Sequence, residues 1–74
     1  MNLIVQGPDI PTPDLKQLAR LAGATAIEAL TPTAFRLVAA NDSLRDDVAA
    51  FCEATMLDHG WVPSERRIQD FGLL

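Results

Sequence analysis

Two stretches of the chain repeat apolar residues at the three- and four-residue spacing of a helix. In the first stretch the apolar residues that share one helical face are Leu15, Leu18, Ala19 and Ala22. Thr12 is a candidate N-cap, and Pro13 suits the first helical position because its missing N–H costs nothing there. Gly23 is a natural stop, so the pattern predicts a helix over 13–22.

The second stretch follows a run of capping residues. Its apolar face consists of Leu44, Val48, Phe51, Cys52 and Thr55. Ser43 with Asp46 resembles a capping box, and Asp46 and Asp47 suit the first turn of a helix. These residues predict a second helix that begins after Ser43 and ends at Gly60.

Short apolar or β-branched segments around these helices favour strands. They cover residues 2–6, 25–30, 34–39 and 61–62. Pro32 lies in a polar break and predicts a turn between two antiparallel strands. In the strand after it, Phe35, Leu37 and Ala39 share one face, while Arg36 and Val38 point the other way. The element order predicts an α+β, ferredoxin-like βαββαβ fold, with two helices on one face of an antiparallel sheet.

The first strand is apolar at adjacent positions, Leu3, Ile4 and Val5, so both of its faces favour burial. Two helices on one side of the sheet cover only one of those faces. We therefore expect Ile4 and Val38 to contribute to a second apolar surface, which a second copy of the chain or another domain covers.

Composition narrows the possible partners. The 74 residues include ten acids and six bases, for a net charge of −4. That balance disfavours binding to nucleic acid and to acidic membrane surfaces, because a protein that binds either one needs clustered Lys and Arg. We find no apolar run of membrane-spanning length and no signal-peptide pattern, so a cytoplasmic location is expected.

No motif with catalytic or metal-binding spacing is present in the sequence. Cys52 is the single cysteine and is predicted to be buried, which leaves no intrachain disulfide. His59 is expected on the surface near the end of the second helix, and Trp61 is expected to pack rather than bind a ligand. We therefore predict no catalytic residue, no metal site and no cofactor in this chain.

One loop is a candidate ligand site. Gly7, Pro8, Asp9 and Ile10 lead from the first strand toward the N-terminus of the first helix, where free N–H groups can bind a small anion or carboxylate. The alternative is a plain loop whose prolines restrict the unfolded chain.

Residues 1–7 and 66–74 resemble the N-terminal extension of bacterial phosphoserine phosphatases, in the haloacid dehalogenase-like superfamily. The strand at 35–37 and the helix at 50–54 also lie where that extension has them. The resemblance implies an ACT-like regulatory domain over 1–63, then a linker and the start of a catalytic domain over 64–74. The family's DxDx[ST] nucleophile loop and its Mg²⁺ site would lie in that missing domain, so no catalytic residue carries over.

The resemblance implies that the parent enzyme hydrolyses O-phosphoserine to serine and phosphate. In this interpretation the chain is a regulatory or dimerisation domain, with an amino-acid effector as a possible ligand. Its open sheet face would bind a second copy or the missing catalytic domain. The alternative is a free-standing ferredoxin-like module that binds a small molecule or dimerises, and a minimal enzyme is the weakest of the three hypotheses.

Overall fold

The structure, a computed structural model, describes residues 1–63 as an α+β unit with one four-stranded antiparallel sheet and two helices. The elements in chain order are β1 (Asn2–Gln6), α1 (Thr12–Leu21), β2 (Ala26–Thr31), β3 (Ala34–Val38), a single 3-10 turn (Asp42–Leu44), α2 (Arg45–Thr55) and β4 (Asp58–Val62). The predicted linker and strand over 64–74 lie outside the described residues.

The strands lie in the order β2-β3-β1-β4, with β1 and β3 in the centre. Each helix therefore connects two strands that are separated by one antiparallel neighbour: β3 lies between β1 and β2, and β1 lies between β3 and β4. This arrangement is compatible with a ferredoxin-like fold. It leaves β2 and β4 as the two edges.

The core lies between one face of the sheet and both helices. Its largest fully buried side chains are Leu3, Leu18, Leu37, Val5, Val48 and Cys52. Leu3 pairs with Leu37 across β1 and β3, and Val5 pairs with Phe35, so these strand residues share the face that the helices cover. The predicted split between Phe35 and Leu37 on one face and Arg36 and Val38 on the other is confirmed, but Ala39 lies outside β3, which ends at Val38, and has a positive φ of 60°.

The first helix begins one residue earlier than predicted, and its cap differs. Pro11, not Thr12, occupies the N-cap position, and no side chain caps the helix. The Pro11 carbonyl instead accepts hydrogen bonds from the Asp14 N–H at 3.0 Å and from the Leu15 N–H at 3.1 Å. Because Pro11 already holds an extended φ of −61° and ψ of 139°, the chain turns into the helix there and Thr12 becomes its first residue.

The capping box predicted at Ser43 is wrong. Asn41 instead caps the 3-10 turn, since its Oδ1 accepts from the Ser43 N–H at 3.0 Å and from the Ser43 hydroxyl at 2.8 Å. The hydroxyl is thus bonded to the Asn41 side chain. The α-helix starts two residues later, at Arg45, with Asp46 and Asp47 in its first turn.

The predicted end of the second helix at Gly60 is also wrong. The helix ends at Thr55, because Met56 adopts the left-handed conformation with φ 60° and ψ 41°. The Leu57 N–H then bonds to the Cys52 carbonyl at 2.8 Å, which closes the last turn. β4 accordingly begins at Asp58 and not at Trp61, and His59 lies on this strand opposite Val5.

Candidate functional site

The face of the sheet opposite the helices has no cover from any described element. Strand pairing places its residues in rows across the strands. One row contains Glu28, Arg36, Ile4 and Gly60, from β2 to β4. The neighbouring row contains Ala26, Val38 and Val62, with Asn2 between the two valines. We call these two rows together the open face.

Two charges of opposite sign lie toward the β2 edge of the open face. The Arg36 Nη1 donates to Glu28 Oε1 at 2.7 Å, and the two side chains are 27% and 51% exposed. Both partners stay in contact with water, which limits the strength of the pair. The open face therefore carries a positive and a negative group side by side instead of a single sign.

The remaining part of the open face is apolar. Ile4 and Val38 are half-buried, Val62 is 37% exposed, and Ala26 is exposed. Asn2 lies between them but is buried, and its Oδ1 accepts from the Ala39 N–H at 3.2 Å. Its polar group is thus turned to the backbone and adds little polarity to the surface. Ile4 and Val38 lie on the side of the sheet where the sequence placed them.

A shallow depression of about 240 Å³ lies at the β4 side of the open face. Its lining consists of Ile4, Gln6, Asp58, His59 and Gly60. A Cβ built on Gly60 would meet nothing within 4 Å, so the missing side chain of this residue helps to form the depression. Apart from Ile4 its walls are polar or backbone, which is typical of an exposed strand edge.

The predicted ligand loop combines one buried end with an exposed middle. Gly7 is buried and its N–H donates to the Thr33 carbonyl at 3.0 Å. Ile10 packs against the core, while Pro8 and Asp9 are exposed. The structure thus separates the four residues between core and solvent.

The helix N-terminus that follows this loop has few donors for a ligand. Pro13 has no N–H, and the N–H groups of Asp14 and Leu15 already bond to Pro11. Thr12 alone has a backbone N–H in this first turn that makes no such bond. The ligand hypothesis for residues 7–10 stays a prediction, and titration with serine and other amino acids, followed at the loop amides by NMR, tests it.

Within residues 1–63, the side chains with potential chemistry do not form a cluster. Cys52 is fully buried in α2, and burial raises the pKa of its thiol, which disfavours the nucleophilic thiolate. His59 is exposed on β4, and Trp61 packs half-buried against the core as predicted. Among residues 1–63, no group of three or more His, Cys, Asp and Glu side chains could hold a metal ion.

Arg66 and Arg67, which the sequence favours as solvated linker residues, lie outside the described residues. Within the described part of the chain, neither helix is long and apolar enough to cross a membrane.

Sequence reasoning missed the Arg36–Glu28 pair and the place of Val62 on the open face. The sequence predicts a hairpin turn at Pro32. Counting residues outward from that turn on both strands is the signal that could have paired Glu28 with Arg36. That count fails by one residue, since β2 has a register shift between Ala29 and Thr31. The sequence predicts only a two-residue strand at 61–62, and a strand this short does not show on which face of the sheet Val62 lies.

Comparison with known proteins identifies one family, whose function is not described. No curated protein and no solved structure matches the chain. A family model described as a domain of unknown function (DUF4072) matches residues 3–48, from β1 into the first turn of α2. This match covers more than half of the 74 residues. The chain therefore belongs to the DUF4072 family of domains.

Proposed function

We propose that this domain is a pairing module that associates with a second copy of itself through the open face. The observation that carries the proposal is the one-sided cover of the sheet: both helices pack on the Leu3 side, and neither covers the Ile4 side. A sheet face with half-buried Ile4 and Val38 gains free energy when a partner removes it from water.

The charges on the open face favour a second copy of this chain over a partner whose charges all have one sign. When two copies of the open face stack about a two-fold axis, the same patch meets itself. When that axis passes between the two side chains, Arg36 of one copy faces Glu28 of the other, because the two charges lie next to each other on every copy. An open face of a single sign would repel itself, and this one does not.

The size of the open face predicts a weak dimer. Four strands about 4.8 Å apart, each about five residues long at about 3.3 Å per residue, give a face of about 300 Å². Stable complexes bury about 800 Å² per partner. We therefore expect association that is lost on dilution, which suits a regulatory contact.

We further propose that the module belongs to a phosphoserine phosphatase as its N-terminal regulatory or dimerisation domain with an ACT-like, ferredoxin-like fold. The support is the resemblance of residues 1–7 and 66–74 to that extension, together with the split βαβ arrangement of the strands. The chemistry would reside in a separate domain with its own Asp nucleophile and Mg²⁺. A free-standing module is the alternative, and it would use the open face in the same way.

Sedimentation velocity of the full chain over a wide dilution series tests the pairing. Val62→Lys introduces an uncompensated charge on the open face and is expected to abolish the dimer. Met56→Lys is the matched control, since Met56 is 86% exposed at the end of α2. A wild-type chain that stays monomeric at the highest concentration, or equal dimerisation of both variants, would overturn the proposal.

Charge reversal tests the two-fold geometry separately. Arg36→Glu alone places two acids together on each open face and is expected to weaken the dimer. The double variant Glu28→Arg with Arg36→Glu restores both signs and is expected to restore it. Circular dichroism checks that each variant is folded. Failure of the double variant to recover would contradict the stacked arrangement while leaving pairing itself intact.

Two measurements test the phosphatase assignment. The coding sequence after codon 74 is expected to continue into a DxDx[ST] loop, whereas a stop codon there favours the free-standing module. The purified chain is expected to release no phosphate from O-phosphoserine above a blank that contains Mg²⁺ alone. Turnover above that blank would contradict a non-catalytic role for this domain.

A further inference from the structure

The edge strand β2 is open to a partner on a different side of the molecule from the open face. All six of its residues, Ala26–Thr31, are exposed. Ile27 pairs with the buried Leu37 and thus lies on the helix side of the sheet, yet it remains 38% exposed. The side of β2 that faces the helix layer is therefore accessible to a partner.

β2 has one feature that protects edge strands, the register shift between Ala29 and Thr31, but it lacks others. Its sequence, AIEALT, contains no proline or lysine, and its single charge, Glu28, is already paired with Arg36 on the open face. Each edge strand carries one acid and is followed at once by a proline, but β4 also contains Gly60 at its centre, and glycine weakens a strand. An added strand therefore fits β2 better than β4.

Two cations, Lys16 and Arg20, lie beside this edge. A cavity of about 380 Å³ separates α1 from β2, and Lys16, Ala19 and Arg20 line its helix side. Residues 24–27 line the other side. Lys16 and Arg20 are one helical turn apart, so both side chains extend from the same side of α1.

Lys16 and Arg20 differ in their ion pairing from the other basic side chains of residues 1–63. Among the basic side chains of residues 1–63, Arg36 pairs with Glu28 and Arg45 pairs with Asp42. Lys16 and Arg20 form no ion pair with any described residue. In a chain with a net charge of −4, an exposed edge strand thus lies next to a local positive site.

We propose that β2 binds an extended segment of another protein that alternates acidic with apolar residues. The segment would add a fifth strand beside β2 through main-chain hydrogen bonds, which supply affinity without sequence preference. Alternate side chains of an added strand point to the helix layer, where carboxylates would meet Lys16 and Arg20. The charges therefore decide which segment binds.

A second copy of this chain fits the edge poorly. Two β2 strands paired about a two-fold axis would bring both sets of Lys16 and Arg20 to the same side of the joined sheet. The acid of β2, Glu28, lies on the opposite face and cannot neutralise them. This like-charge contact favours an acidic segment over self-pairing.

NMR titration of the full chain with capped eight-residue peptides tests the proposal. The probe alternates valine with aspartate, and matched controls alternate valine with serine or with lysine. The aspartate peptide is expected to shift the amides of residues 26–29, with affinity at least tenfold above the serine peptide and falling as salt rises. Free aspartate as an additional probe separates strand addition from simple anion binding.

Variants then assign the interaction to α1. The double variant Lys16→Glu with Arg20→Glu is expected to reduce affinity for the aspartate peptide at least tenfold. Arg45→Glu, at the start of α2, removes one cation elsewhere and is expected to leave affinity unchanged. Equal binding of the lysine peptide, shifts confined to β4, equal shifts with free aspartate, or β2 shifts caused by protein concentration alone would overturn the proposal.

Discussion

A Cβ placed on Gly7 would lie 2.6 Å from Cδ2 of Leu57. This atom is the end of the half-buried Leu57 side chain, so a side chain at position 7 requires Leu57 to move. Gly7 is buried, so a methyl group there cannot turn toward solvent. Glycine at this position therefore lets the Leu57 side chain pack against the end of β1.

Gly7→Ala is expected to lower the free energy of unfolding by about 1 kcal/mol, the low end of the cost of overpacking, because the Leu57 side chain must move to admit the extra methyl group. Urea denaturation measures the loss. Gly60→Ala is the matched control, since a Cβ there meets nothing within 4 Å, and we expect it to be neutral. If the clash with Leu57 is the cause, Gly7→Ala costs less in a Leu57→Ala background, and an unchanged cost would contradict this explanation.

Met56 adopts a left-handed conformation with φ 60° while its side chain is 86% exposed. Met56→Gly is expected to raise the free energy of unfolding by up to about 1 kcal/mol, because glycine adopts this conformation without a Cβ clash. Thermal denaturation compares it with Met56→Ala, which keeps the Cβ and removes only the exposed part of the side chain. Equal stabilisation by both variants would show that the left-handed conformation is not the cause.

The Cys52 thiol makes the free energy of unfolding depend on pH in the alkaline range. Burial raises the pKa of its thiol, so the folded chain holds this proton more tightly than the unfolded chain does. This group leaves stability unchanged below the unfolded thiol pKa of about 8.5, and stability falls as pH rises from there through the raised folded pKa. We expect urea midpoints of the wild type to drop over this range and Cys52→Ala to drop less steeply. Parallel curves for the two proteins would contradict the linkage.

Leu18 is fully buried between α1 and the sheet. Leu18→Ala is expected to cost about 2–5 kcal/mol, because it leaves a cavity in a small core. A domain of this size has about 4–11 kcal/mol in total, so this one substitution removes a large fraction of it. Leu30→Ala is the control, since Leu30 is 43% exposed and should cost under about 0.5 kcal/mol. Similar losses by urea denaturation would show that the core is placed elsewhere.

The sequence predicted both helices because the spacing of apolar residues along a helix depends only on neighbouring residues. It predicted the ends of the helices less well. Gly23 stopped α1 close to the expected residue, whereas α2 stopped at Met56, a residue type that gives no stop signal. A left-handed methionine is tolerated here because Leu57 and Trp61 pack back against the core after the turn. That contact depends on the sheet and not on the helix sequence.

By itself the sequence determined the strand and helix order, the burial of Cys52 and the opposite faces of Leu37 and Val38. Alternation and helical spacing are properties of neighbouring residues, so they can be read without the fold. Only the tertiary structure decided that Glu28 meets Arg36. A regular hairpin that pairs Thr31 with Ala34 would place Ala29 opposite Arg36 and turn Glu28 toward the core; the register shift between Ala29 and Thr31 returns Glu28 to the open face. One extra residue in β2 thus decides which face carries the charge, because side chains in a strand alternate with a period of two.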